Sequence, residues 1–223
     1  MKKIKKNMSK RAAKINEKGF TILETLVAVS ISGILMAGIY STYYSQQKSS
    51  VVQGQVAAMQ QNLRAAMCLM TTEIRMAGYD PLGSAGTGIL TANSDSIRVT
   101  MDTSGDGVPD DTNEDVTYSL YDADSDGDND LGRNTGGGNA PAAANIDALN
   151  LVYLDAAGAA TATVSQMRSV QIAVVARTER EDPGYTNNET YTNQLGTTIY
   201  TAPGDHYRRR LSIAQVKCRN LGL

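Results

Sequence analysis

Residues 20 to 40, FTILETLVAVSISGILMAGIY, constrain this chain more than any other stretch: 21 residues, apolar or small on every side apart from a few hydroxyls and one carboxylate, Glu24. As a helix rising about 1.5 Å per residue the run extends roughly 31 Å, enough to cross a hydrocarbon layer. The 19 residues before it hold eight Lys/Arg and one Glu. By the positive-inside rule that basic side stays cytoplasmic, so the remainder of the chain lies across the membrane.

Glu24 needs an explanation, because an isolated carboxylate in such a run is costly to insert without a partner. Thr21 and Glu24 have the spacing of a capping box, in which the two side chains satisfy the first free amides of a helix. An ordinary secretory signal would instead place small residues after the run, where Ser41, Ser45, Ser49 and Ser50 stand. The boundary chemistry lies before it. Lys18-Gly19-Phe20-Thr21-Ile22-Leu23-Glu24 resembles the class III signal of type IV prepilins and type II secretion pseudopilins. That resemblance implies cleavage between Gly19 and Phe20 by a membrane aspartic peptidase, N-methylation of Phe20, and a role for Glu24 in assembly, paired with the free α-amine of a neighbouring subunit.

Beyond Tyr40 the pattern becomes two-sided. Val52, Val56, Met59, Leu63, Met67, Met70 and Ile74 recur at intervals of three and four with polar residues between them, a stripe of period near 3.6. No proline interrupts residues 20 to 80, so one helix over 20–78 is expected, capped by Gly78 and stopped by Pro81. After Asp80 short alternating runs appear around Ile97–Met101, Val116–Leu120, Ile146–Tyr153, Val170–Ala176 and Leu211–Val216. These read as about five half-buried strands, and residues 131 to 144, LGRNTGGGNAPAAA, as a flexible excursion between them. The fold class expected is α+β, an antiparallel sheet covering the second half of a long helix. Three segments follow: a leader at 1–19, the helix at 20–78 with its membrane or filament-core half at 20–40, and a β-rich domain at 79–223.

Glu73-Ile74-Arg75-Met76-Ala77-Gly78-Tyr79-Asp80-Pro81, Arg168-Ser169-Val170-Gln171-Ile172 and Arg208-Arg209-Arg210-Leu211 with Lys217-Cys218-Arg219-Asn220-Leu221 resemble segments of PilW-like minor pilins. The resemblance implies a non-enzymatic subunit that joins a type IV pilus near its tip and primes assembly. Its partners would be major and minor pilins, the prepilin peptidase, an inner-membrane assembly platform and the inner membrane itself. The domain would be periplasmic before assembly and on the cell surface after it. The rivals are a minor pseudopilin of type II secretion, similar to the GspJ group, and a pilin-stemmed calcium-dependent adhesin. The chain departs from the major pilins in lacking a helix-bending proline.

Residues 20 to 223 carry 13 basic against 22 acidic groups, and that balance argues against a nucleic-acid surface. Part of the acid is concentrated in two loops. Asp102, Ser104, Asp106 and Asp110, and Asp122, Asp124, Asp126, Asp128 and Asp130, place oxygens at alternate positions with Gly sixth, the wording of a Ca2+ loop. The bidentate Glu at position twelve is replaced by Asn113 and Arg133, and a solvated acidic turn is the alternative; no cofactor is required. Cys68 and Cys218 lie 150 residues apart without a CxxC, which excludes a zinc site by ligand count and leaves a disulfide or two free thiols. The single His206 has no catalytic constellation around it, so an enzyme is not expected.

Overall fold

The computed structural model describes residues 19 to 222, and these form two compact units that divide between Ser49 and Ser50. Helix α1, Ile22–Met76, contributes to both. It runs through Gly33, Gly38 and Gly54 without interruption.

In the first unit every described residue from Gly19 onward is exposed. Phe20, Ile22, Leu23, Val29, Ile34 and Leu35 are among its large apolar side chains without cover. As far as Tyr40, this part of α1 is long and apolar enough to cross a membrane, and it has no polar face to set against water.

The second unit begins with the remainder of α1 and adds ten strands. β1 (Ile89–Ala92), β2 (Ser96–Thr100), β3 (Asp115–Tyr121), β4 (Asp130–Asn134) and β5 (Asn139–Ala143) form a five-stranded antiparallel meander in chain order. β6 (Ile146–Leu154), β7 (Ser169–Arg177) and β10 (Arg209–Lys217) make a three-stranded antiparallel sheet with β7 in the middle. β8 (Thr190–Thr192) and β9 (Thr198–Thr201) pair as a small ribbon.

The helix stripe explains why these sheets meet here. Met59, Leu63, Ala66, Met67, Met70 and Ile74 are buried on one face of α1, in one cluster with Ile97, Val99, Val116 and Tyr118 of the meander and Val170, Ile172 and Val174 of β7. Cross-strand neighbours carry the same alternation: Ile97 faces Tyr118 and Val99 faces Val116 in register, which keeps both members of each pair on the core side. β7 is buried on both faces, since Val175 on its far side packs with Ala148, Tyr191 and Ala202 in a second, smaller cluster. That double burial accounts for its unbroken apolar reading. At the end of α1, Gly78 adopts φ 81° and its amide donates to Thr100 O at 3.0 Å. A side chain at this position would collide with Leu221, so conformation and space both require glycine.

The structure corrects the reading of residues 131 to 144 as a flexible excursion: they belong to the β4–β5 hairpin, with Arg133 opposite Ala140 and Asn134 opposite Asn139. Backbone pairing and the burial of Leu131 hold the hairpin in place of an apolar alternation. Its turn is fixed by Asn134 Oδ1, which accepts the amides of Gly136 and Gly138 at 2.8 and 3.2 Å.

Candidate functional site

Gly19, Phe20 and Thr21 lead into α1 without helical structure, and Phe20 is 90% exposed. Thr21 is the N-cap. Its amide and hydroxyl donate to Glu24 Oε2 at 2.8 and 2.9 Å, and the Glu24 amide donates back to Thr21 Oγ1 at 3.2 Å. The capping box expected from the spacing is therefore formed, and it closes the amino-terminal turn by reciprocal bonds. No Lys or Arg among the described residues pairs with Glu24, so its charge has no counter-charge among them. Tyr40, Tyr43 and Tyr44, all exposed, close the apolar stretch at its other end, as aromatic residues do where a bilayer meets water.

The two acidic loops differ in what their carboxylates do. In the first, Asp102 is buried; its Oδ1 accepts the Gly105 amide at 2.6 Å and the Ser104 hydroxyl at 3.3 Å, and its Oδ2 accepts the Gly107 amide at 3.0 Å. Asp106 Oδ1 accepts the Val108 amide at 2.9 Å, and Asp110 is exposed. Glu114, which the sequence reading missed, closes this loop from its far end. Its carboxylate takes the amides of Thr103 and Ser104 at 2.7 Å each, the Thr103 hydroxyl at 3.0 Å and the Asp111 amide at 3.2 Å. The bond from the Ser104 amide, with the others, holds the Glu114 carboxyl below its ordinary pKa.

In the second loop the five expected acids separate. Asp122, Asp124 and Asp126 are exposed, with one oxygen of each within 4.8 Å of the others, a spacing that three ligands of one cation would have. Asp128 is drawn away by Arg177, whose Nη2 lies 2.6 Å from its Oδ2. Asp130 is buried and accepts the amides of Ala123 and Asn145 at 3.1 and 3.0 Å. The five carboxylates are thus not one ligand set. Arg133, the twelfth residue of this loop, reaches Glu73 of α1 at 2.6 Å and donates to Asn113 Oδ1 at 2.7 Å. Glu73 also accepts the Tyr118 hydroxyl, and burial, followed by that bond, raises the Tyr118 pKa. Helix and meander are tied by this network.

Of the two alternatives left open for the cysteines, the structure has the free thiols. Cys68 and Cys218 are both free, the first exposed and the second buried. Cys68 lies on the outer side of α1, while the neighbouring Met67 and Met70 point into the core, so the two sulfurs serve different surroundings. Burial pushes the Cys218 thiol up to about 11.

Of the three consecutive arginines, two are engaged in the fold. Arg209 has a side chain 1% exposed between Asp147 and Asp205, each at 2.5 Å. Burial works against its charge, and the hydrogen bond and field of these carboxylates outweigh it, holding the guanidinium above its ordinary pKa. Arg208 pairs with Asp182 at 2.8 Å and lies over the Tyr185 ring. His206 Nδ1 sits 2.5 Å from the Tyr185 carbonyl, a loop contact.

Comparisons with known proteins follow the same division. The Prokaryotic N-terminal methylation motif matches residues 14–40, and the Type IV Pilus-assembly protein W family matches residues 115–220. Among solved structures, a type IV-like pilin from Thermus thermophilus aligns at a TM-score of 0.46 and 17% identity, covering 74% of this chain and 98% of its own. No curated protein matches. An exposed apolar helix that begins within a region similar to the methylation motif, and antiparallel sheets that lie largely within a region similar to the pilus-assembly family, thus occur together in this chain.

Proposed function

We propose that the chain is a minor pilin. It is cut between Gly19 and Phe20, methylated at Phe20, held in the inner membrane by the first part of α1, and transferred into a type IV pilus, where it primes assembly at or near the tip. Its role is structural and non-enzymatic. The observation that carries this reading is Glu24: a carboxylate in the first turn of an exposed apolar stretch, with no partner among the described residues except its own cap. In hydrocarbon or in a packed helix bundle such a charge calls for a counter-charge. The α-amine of a mature Phe20 on a neighbouring subunit supplies one. Thr21 alone can cap a helix, so capping gives no reason to retain a charged residue there.

A Glu24→Val variant tests the proposal. It is expected to be processed and to stay in the membrane, while disappearing from filaments sheared off the cell surface. Recovery of the variant in those filaments at the wild-type level would contradict the assembly role. Deleting the chain separates the rival function: loss of surface pili with protein export intact supports the pilus reading, and loss of export with pili intact supports type II secretion.

A further inference from the structure

Outside residues 1 to 19 the protein is acidic, and most of its arginines are spoken for. Arg98, Arg133, Arg177, Arg180, Arg208 and Arg209 all have carboxylate partners. Three cations without such a partner among the described residues gather in one place: Arg168, Lys217 and Arg219 line a cleft of about 490 Å³. The cleft lies where β7 begins and β10 ends, Lys217 being opposite Ser169 in register. Arg168 is positioned rather than loose. Its Nη1 donates to the carbonyls of Ser165 and Met167 at 2.9 and 2.7 Å, and the backbone at Gly222 passes so close that a side chain there would strike the guanidinium. Asp155 also borders the cleft, but its Oδ1 is occupied by the amides of Ala157 and Ala159, both at 2.9 Å.

The opposite end of the same strand carries the opposite charge. Arg177 ends β7 and holds the second acidic loop through Asp128, leaving Asp122, Asp124 and Asp126 exposed beside one another. Eight residue steps of β7 separate the two ends, about 26 Å at 3.3 Å per residue. Clustered carboxylates repel one another unless a cation neutralises them, and clustered cations do likewise.

We propose that the cleft of Arg168, Lys217 and Arg219 on one copy receives the acidic loop of Asp122, Asp124 and Asp126 on a second copy, as a head-to-tail contact. In a head-to-tail arrangement, with the strands of successive copies pointing the same way, each copy keeps one free patch after docking. Such heterologous contacts propagate into rings or open arrays. The contact takes its biological setting from the filament-subunit reading, but its existence is measurable without it.

The test is sedimentation velocity on the full chain in non-ionic detergent with EDTA, using two charge reversals, Lys217→Glu with Arg219→Glu and Asp124→Lys with Asp126→Lys. Far-UV circular dichroism is the check that both fold. The wild type is expected to self-associate, at least about tenfold more weakly when salt is raised from about 50 to 300 mM. Each variant alone is expected to stay monomeric, because its two patches then carry the same sign, and an equimolar mixture is expected to associate again, since the native loop of one variant meets the native cleft of the other and the two reversed patches are themselves opposite in charge. A wild type that is monomeric at low salt overturns the proposal. So does association that survives Lys217→Glu with Arg219→Glu, which assigns it to the apolar helix or to the basic residues 1 to 19. A mixture that fails to associate when the wild type does overturns it as well. None of these results bears on processing at Gly19 or on Glu24, so a failure here leaves the minor-pilin proposal to its own test.

Discussion

Between Ile22 and Ser49, α1 exposes every side chain, whereas between Ser50 and Met76 the same helix buries Met59, Leu63, Ala66, Met67, Met70 and Ile74. Hydrogen bonding along the backbone does not distinguish the two parts; side-chain periodicity does. The second part alternates apolar and polar residues at helical spacing, and its partner is the chain's own pair of sheets. As far as Tyr40 the first part is apolar all round, and among the described residues nothing covers it. A helix of that kind is matched to hydrocarbon or to other helices like itself, and the methylation motif that spans its start agrees with such a destination.

The sharpest way to break this comparison is to truncate one apolar side chain in each part. Met70→Ala, at a fully buried position, is expected to cost about 3 to 5 kcal/mol in urea unfolding of the sheet-bearing unit. Ile31→Ala, at an exposed one, should leave that transition within about 0.5 kcal/mol of wild type. Equal losses would mean that the first part of α1 also has a cover within the chain.

Next in size is the polar tie between α1 and the meander. Glu73→Ala leaves Arg133, whose side chain is only 20% exposed, without its carboxylate. A loss of about 2 to 4 kcal/mol is expected, partly recovered when Arg133 is replaced by Met in the same chain. If the double variant is no more stable than the single one, the cost comes from packing and not from a stranded charge.

Acid should act on the folded unit through Glu114. Its folded pKa is lowered from 4.5 by the loop amides and the Thr103 hydroxyl. The stability it contributes is therefore present above the unfolded value and lost as pH falls through the lower folded value. Urea midpoints measured from about pH 6 down to about pH 3 should fall more steeply for wild type than for Glu114→Gln. Parallel pH profiles would remove Glu114 from the account of the first acidic loop.

The smallest effect is at the other end of the chain. Thr21→Val removes the hydroxyl that both accepts from and donates to Glu24, and about 1 kcal/mol of local helix stability with it. Amide exchange at Glu24 and Thr25, whose amides donate to Thr21 Oγ1 and O, followed in detergent micelles, should accelerate about fivefold, with the urea transition unchanged. No acceleration would show that the Glu24 bond to the Thr21 amide carries the cap by itself.

Much of this architecture was legible because it is written in local periods. The stripe from Val52 to Ile74 marks the packed part of α1, Thr21 and Glu24 mark its start, Gly78 marks its end, and the five alternating runs correspond to β2, β3, β6, β7 and β10. The other five strands carry no such period. β4 reads DLGRN and β5 reads NAPAA, with Gly132, Pro141 and several alanines where an alternation would need bulk, and β1, β8 and β9 span only three or four residues.

The polar networks were hidden for a different reason. Glu73, Tyr118 and Arg133 are brought together across 45 and 60 residues of chain, and Arg209 meets Asp147 across 62. No short-range pattern records such partners. The acidic loops show the converse: their alternating oxygens are plain in the sequence, but Asp128 and Asp130 are diverted by Arg177 and by backbone amides that only the fold supplies.

Intact-mass analysis with amino-terminal sequencing, on protein taken from membranes with and without a prepilin peptidase, tests the central claim most directly. The expected result is a chain that begins at N-methylated Phe20 when the peptidase is present and is uncut when it is absent. A chain left uncut in both, or cut beyond Tyr40, would contradict the account and reduce Glu24 to a helix cap.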